Sequence, residues 1–187
     1  MEQKRKQKLF RVLNIIAFAI VIVLLFHYRE RFYAMMHPRG KELIQNMAPA
    51  LAEGKWINSE PLMLADLKGK VIVLDFWTFD CINCQHVLPS LSRWFETYRD
   101  KGVVIIGVHT PETTEEEIFS SLQSFVTKWK IGYPVVTDNS YQTWNRYNVQ
   151  FWPSVVLIDK KGMIREFHIG ELGYSALEKT LKELLNE

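Results

Sequence analysis

Cysteine is scarce in this chain of 187 residues: there are two, Cys81 and Cys84. A structural zinc site takes four ligands, and with no second Cys pair only His86 lies near enough in sequence to add one. Covalent haem attachment takes Cys-x-x-Cys-His, and Gln85 stands where that histidine belongs. The chain has no internal repeat and no low-complexity tract. It also lacks a strong charge, the formal total being +2. Of its 23 basic and 21 acidic residues, the first eleven positions hold five and one, which leaves 18 against 20 for the rest. Nothing basic enough to suggest nucleic acid remains in the folded part. An apolar run over residues 9–26 is followed by Phe26-His27-Tyr28-Arg29, with no small-residue cleavage site.

What the chain does have is a branched and aromatic run, Val71–Trp77, interrupted only by Asp75, that reads as a buried central strand. A short turn leads to Cys81-Ile82-Asn83-Cys84, which opens a helix. One thiol is thereby set at a helix N-terminus, where free backbone N–H groups and the dipole favour a thiolate. The second comes one turn later. Strand, turn and Cys-x-x-Cys at a helix start is the arrangement a dithiol/disulfide couple needs. The apolar run at 9–26, about 27 Å long as a helix, suits an uncleaved signal anchor with a basic cytoplasmic tail. The expected organisation is a tail at 1–8, a transmembrane anchor at 9–27, a juxtamembrane linker at 28–54 and a folded domain at 55–187. Within the linker, Met35 and Met36 read as interfacial packing rather than soft metal ligands. Within the domain, the pattern predicts a hairpin over 55–64 and a helix from Cys81 to about Arg99 containing Pro89. A strand over 103–108 and a helix over 113–130 with Glu115, Glu116 and Glu117 in its first turn come next. A strand at 135–136, a short helix at 141–147, a closing hairpin at 155–168 and a last helix at 174–185 complete it. Strands alternating with helices imply an α/β sandwich with a mixed sheet.

Asp75-Phe76-Trp77-x-x-x-Cys81-x-x-Cys84, with Pro89 five residues on and Trp152-Pro153 far downstream, resembles the thioredoxin-like superfamily. The spacing between these parts is similar to its membrane-anchored TlpA/ResA-like branch, which carries an extra helix and strand within the fold. The stretches 76–84, 107–112 and 133–139 look closest to the thioredoxin-like domain of DipZ-type proteins. The resemblance covers about residue 56 to the end and implies a three-layer sandwich and thiol-disulfide exchange.

On that resemblance Cys81 is the attacking thiol and Cys84 the resolving one. Asp75, six residues before Cys81, matches the family's buried acid. Desolvation would raise its pKa and fit it to move the Cys84 proton, unless it merely caps a turn. A cis Trp152–Pro153 bond would hold backbone open for an extended substrate, a trans bond simply opening the next strand. Trp152, Pro153, Phe79 and His109 are the implied substrate-side residues, with His109 equally readable as a polar strand end. Glu112 is a weaker candidate, and His86 and His168 read as surface or core residues. Asp80 stands where many thioredoxins have Trp, and its charge opposes a thiolate at Cys81. A reducing couple is therefore expected, nearer thioredoxin at about −270 mV than DsbA at about −120 mV. No cofactor beyond the redox-active Cys81–Cys84 disulfide is implied. The implied partners are exported proteins bearing disulfides, apocytochrome c among them, and a membrane thiol donor of CcdA/DsbD type. The site would face outward from a bacterial membrane. Two rivals are a thiol peroxidase, whose Pro-x-x-x-Thr-x-x-Cys arrangement is missing, and a copper-binding assembly factor using Cys81, Cys84 and His109 or His86.

Overall fold

Seven consecutive buried residues, Val71–Trp77, form strand β2. Apart from Asp75, their branched and aromatic side chains suit a strand covered on both faces. The computed structural model of the chain describes residues 20–23, 25, 28, 29 and 39–187. It divides into two units, Met1–Pro38 and Arg39–Glu187. In the first, the described residues are helical and Ile20, Val21, Ile22, Val23 and Leu25 are exposed. Most of the expected anchor lies outside the described residues. Among the described residues, no helix is long and apolar enough to cross a membrane.

The second unit is built on one six-stranded sheet. With β1 at Trp56–Ile57, β3 at Val103–His109, β4 at Val135–Thr137, β5 at Ser154–Ile158 and β6 at Ile164–Ile169, the order is β1-β4-β3-β2-β5-β6. β2, β3 and β4 are parallel, while β5 pairs antiparallel with β2, β6 with β5, and β1 with β4. The helices are α1 at Ile82–Tyr98, α2 at Phe119–Lys128, α3 at Gln142–Arg146 and α4 at Tyr174–Asn186. Alternation along β2 sends Val71, Val73 and Trp77 into one core and Ile72, Leu74 and Phe76 into the other. The first core takes Cys84, Leu91 and Trp94 from α1 and Leu177 and Leu181 from α4. Leu91 is fully buried there, so Leu91→Ala would cost about 2–5 kcal/mol. This is the mixed-sheet α/β sandwich that the sequence implies.

Three local expectations differ. Residues 55–64 make no hairpin: β1 adds to the edge of β4, and Leu64–Leu67 coil into a 3-10 turn whose leucines pack on the second core. The helix expected over 113–130 starts at Phe119, because residues 113–117 turn around an inward-facing Glu116. Residues 39–54, read as part of a linker, lie on the second core through Leu43, Ile44, Ala48 and Leu51. Their backbone is tied to the domain: the Gln45 N–H donates to Ile164 O at 2.7 Å and the Ala48 N–H to Gly162 O at 2.9 Å. Tyr147 closes the strap by donating its hydroxyl to Pro49 O at 2.7 Å.

Candidate active site

β2 carries the chain out of the sheet at Trp77, and four residues later Cys81 becomes the N-cap of α1. Its backbone is extended, with φ −73° and ψ 111°, as an N-cap requires. Its sulfur accepts the Cys84 N–H at 3.3 Å, using one of the donors a helix start leaves free. Gln85 steadies the turn, its N–H donating to Cys81 O at 3.1 Å and its side-chain amide to Phe79 O at 2.7 Å. Both cysteines are free thiols, Cys81 half-buried and Cys84 buried. Burial is the main reason the Cys84 thiol holds its proton well beyond the ordinary range. Its hydrogen bond with Cys81 adds to this, the Thr78 backbone opposes it, and the charges of Cys81 and Asp75 add a little more. Cys81 thus meets solvent, and Cys84 waits beneath it as a neutral thiol.

Asp75 lies on the Cys84 side of the sheet and is wholly buried. Neither of its oxygens has a hydrogen-bond partner. Burial pushes its carboxyl up to about 8. A group poised there can take a proton from Cys84 and give one back near neutral pH.

Phe76 pairs with Ser154 across β2 and β5, which sets Pro153 beside Trp77 at the thiol end of the sheet. The Trp152–Pro153 peptide is cis. Pro153 is buried and its carbonyl accepts the Gly170 N–H at 2.9 Å. The Trp152 indole donates to Thr110 O at 3.1 Å and lies 4.3 Å from the Trp144 ring. Phe79 and His109, the other two expected substrate-side residues, are stacked on one another inside the domain. Phe79 is buried, stacked on His109 at 5.5 Å and on Phe125 at 5.5 Å. His109 lies fully buried beneath it, edge-on to Trp77 at 5.3 Å, so its ring is off the surface that a substrate would touch. Burial lowers its pKa to about 4 against the raising effect of Glu116, which keeps the imidazole neutral.

Glu116 is the site residue that sequence reading missed. It is 1% exposed, and both carboxylate oxygens are engaged. One accepts the Thr78 hydroxyl and the Asp80 N–H, the latter at 3.0 Å. The other accepts the Glu112 and Thr113 N–H groups at 2.7 and 3.0 Å. Burial alone would raise this carboxyl, but the hydrogen bonds outweigh it and hold it below the usual range. The Thr78 hydroxyl also lies 3.4 Å from His109 Nε2. Glu116 therefore fastens the turn before Cys81 to the loop after β3. Thr113-x-x-Glu116 has the spacing of a capping box, with Glu116 reaching back to the Thr113 N–H, and that pattern could have marked it. Glu112 is exposed and contributes its N–H here, not its carboxylate.

Of the remaining histidines, His86 is exposed with Nδ1 2.6 Å from a Glu171 carboxylate oxygen. His168 packs edge-on against Tyr174 at 5.4 Å. Among the described residues, no three His, Cys, Asp or Glu side chains gather as metal ligands.

Residues 44–167 match the model of the AhpC/TSA family. Protein DipZ of Mycobacterium tuberculosis is 38% identical over 135 residues, which are 71% of this chain and 19% of DipZ. The chain therefore spans about a fifth of that relative's length. The thiol-disulfide oxidoreductase ResA of Bacillus anthracis is 31% identical over 183 residues, 97% of this chain and 98% of ResA. Among solved structures, a thioredoxin-like superfamily protein superposes with a TM-score of 0.71 at 33% identity, covering 75% of this chain and 97% of its own.

Proposed function

Because the chain belongs to the AhpC/TSA family and has a thioredoxin-like fold, we propose that it is a thiol-disulfide oxidoreductase working through Cys81 and Cys84. The observation that carries this is the N-cap geometry: Cys81 at the mouth of α1, its sulfur on the Cys84 N–H, and the protonated Cys84 on the same side of the sheet as Asp75. Cys81 attacks a substrate disulfide, one substrate sulfur leaves, and the other stays bonded to Cys81. Cys84 then gives up its proton and attacks Cys81 Sγ. The Cys81–substrate bond breaks with its electron pair on the substrate sulfur, and the Cys81–Cys84 disulfide forms. The substrate gains two electrons and the chain loses two.

The couple is a reducing one. A resolving thiol kept neutral by burial gives the reduced form no thiolate stabilisation, and Asp80 adds an exposed negative charge next to Cys81. The domain works outside a bacterial cytoplasmic membrane, held by the apolar segment 9–27. It reduces disulfides of exported proteins, apocytochrome c among the candidates, and is recharged by a membrane thiol donor. The named activity of ResA supports the chemistry, and the apolar run supports the tether.

Cys84→Ser tests this. With insulin as substrate, the variant should accumulate a Cys81-linked mixed disulfide that dithiothreitol releases, while Cys81→Ser should form none. A wild-type chain that reduces hydrogen peroxide but not insulin sinks the proposal, as does the lack of any Cys84→Ser adduct.

A further inference from the structure

Asp75 has two neighbours that the exchange chemistry has not yet used. Its Cα partner on β3 is Gly107, and a Cβ there would lie 2.8 Å from Trp77 Nε1 and 3.2 Å from Tyr133 Cε2. The missing side chain at Gly107 is what lets the Tyr133 ring in beside Asp75. On the other flank Asp75 pairs with Val155, and Val155 pairs with His168. His168 packs edge-on against the Tyr174 ring, which stacks on Trp94 at 5.6 Å. The register thus puts Tyr133 on the β3 side of Asp75 and Tyr174, through His168, on the β5–β6 side, both within the core that holds Cys84.

Neither phenol is spent elsewhere. The Tyr133 and Tyr174 hydroxyls are both buried and have no hydrogen-bond partner, as do both Asp75 oxygens. Buried hydroxyls are rarely left so, and each is a donor suited to a carboxylate, directly or through one ordered water. Burial first, and the charges of Asp75 and Cys84 after it, hold the protons of both tyrosines in place, so they remain donors as Asp75 ionises. Titratable groups facing Asp75 come from α1 (Cys84, with Cys81 above it), from the segment before β4 (Tyr133), from α4 (Tyr174) and from β6 (His168).

We propose that Tyr133 and Tyr174 are positioning residues for Asp75: two phenol donors that stabilise its carboxylate so that it can receive the Cys84 proton. This rests on the exchange reading for its use. In the step concerned, the proton passes from Cys84 Sγ to Asp75, the Cys84 sulfur bonds to Cys81, and the substrate thiolate leaves. The phenols keep their own protons throughout.

The test is a pH titration of the Asp75 carboxylic C=O stretch by infrared difference spectroscopy on the reduced full chain. The band is assigned by its loss in Asp75→Asn. Tyr133→Phe and Tyr174→Phe should each move the midpoint upward by about one pH unit, since a charge-assisted donor has been removed. The pH at which insulin reduction reaches half its maximum should rise with it, and Tyr→Phe in the Asp75→Asn background should leave that profile where it is. A tyrosine that only packs would change the melting temperature without moving the band. Midpoints that stay within 0.2 of wild type in both variants overturn the proposal, as does a rate-profile shift that persists without Asp75. Should either Phe variant unfold, 3-fluorotyrosine labelling replaces it: more acidic phenols must lower the midpoint, and an unmoved midpoint overturns the proposal. If the wild type reduces no disulfide, the exchange reading falls, while the infrared band still decides the role of the phenols.

Discussion

Replacing Asp75 by Asn should make the protein more stable, and by an amount that grows with pH. In the fold this carboxyl titrates near 8, against 3.8 when exposed, because burial strips it of water and gives it no partner. A raised folded pKa means that the folded state binds the proton more tightly than the unfolded state does. The stabilisation this gives is complete below the unfolded pKa and is lost as pH rises through the folded one. The gap of about four units corresponds to roughly 5–6 kcal/mol over the whole window. Between pH 5 and pH 8.5 the share lost is about 4 kcal/mol. Asn has the same shape and no titration, so its stability relative to wild type should climb by about that amount over the interval. Urea unfolding of both proteins, reduced, at pH 5, 7 and 8.5 reads the difference directly. In the fold Cys84 keeps its proton across this range, and its titration in the unfolded chain is common to both proteins, so it drops out of the comparison. A stability difference that stays constant within about 0.5 kcal/mol across the three pH values would refute the assignment of Asp75 as a buried acid.

Glu116→Gln should lower stability by about 2–3 kcal/mol, because the amide cannot accept on both oxygens and leaves buried donors unpaired; thermal melts at pH 7 check this. Since the Glu116 carboxyl is held below its ordinary range, its contribution is present at neutral pH and is lost as pH falls through the folded pKa, so the deficit should shrink in acid. Gly107→Ala should cost about 1–3 kcal/mol through overpacking against Trp77 and Tyr133, read by denaturant midpoint with an unchanged slope. His86→Gln removes a contact between partly exposed groups and should change stability by under about 1 kcal/mol, measured the same way.

The parts of the site that could be read in the sequence are those that lie along one stretch of chain. Strand, turn and Cys-x-x-Cys put Cys81, Cys84 and Asp75 within ten residues, and a two-residue alternation is enough to place Asp75 under the thiols. The α/β order was legible for the same reason, each element carrying its own hydrophobic period. Tyr133 and Tyr174 were not legible, because only the sheet register brings them to the site, and the capping-box spacing marks Glu116 as a turn residue without showing that it is buried at the site. Glu116 sits in an acidic triplet that looks like an ordinary helix start; its burial is decided by Thr78, 38 residues away. The supposed hairpin at 55–64 failed through the same effect: the open edge of β4 offered Trp56 and Ile57 a better partner than their own downstream neighbours. His109, polar at a strand end, pointed toward a crevice by rule, but two aromatic rings cover it.

The strap over residues 39–54 has a practical bearing on where the protein can be cut. Gly40 sits so close over the Phe167 ring that a side chain there would have no room, and the strap covers Ile164 and Tyr147 as well. A fragment begun at Lys55 would bare an oily seam along the back of β6 and α3 and invite sticking between molecules. Excision at Arg39 keeps that lining sewn in.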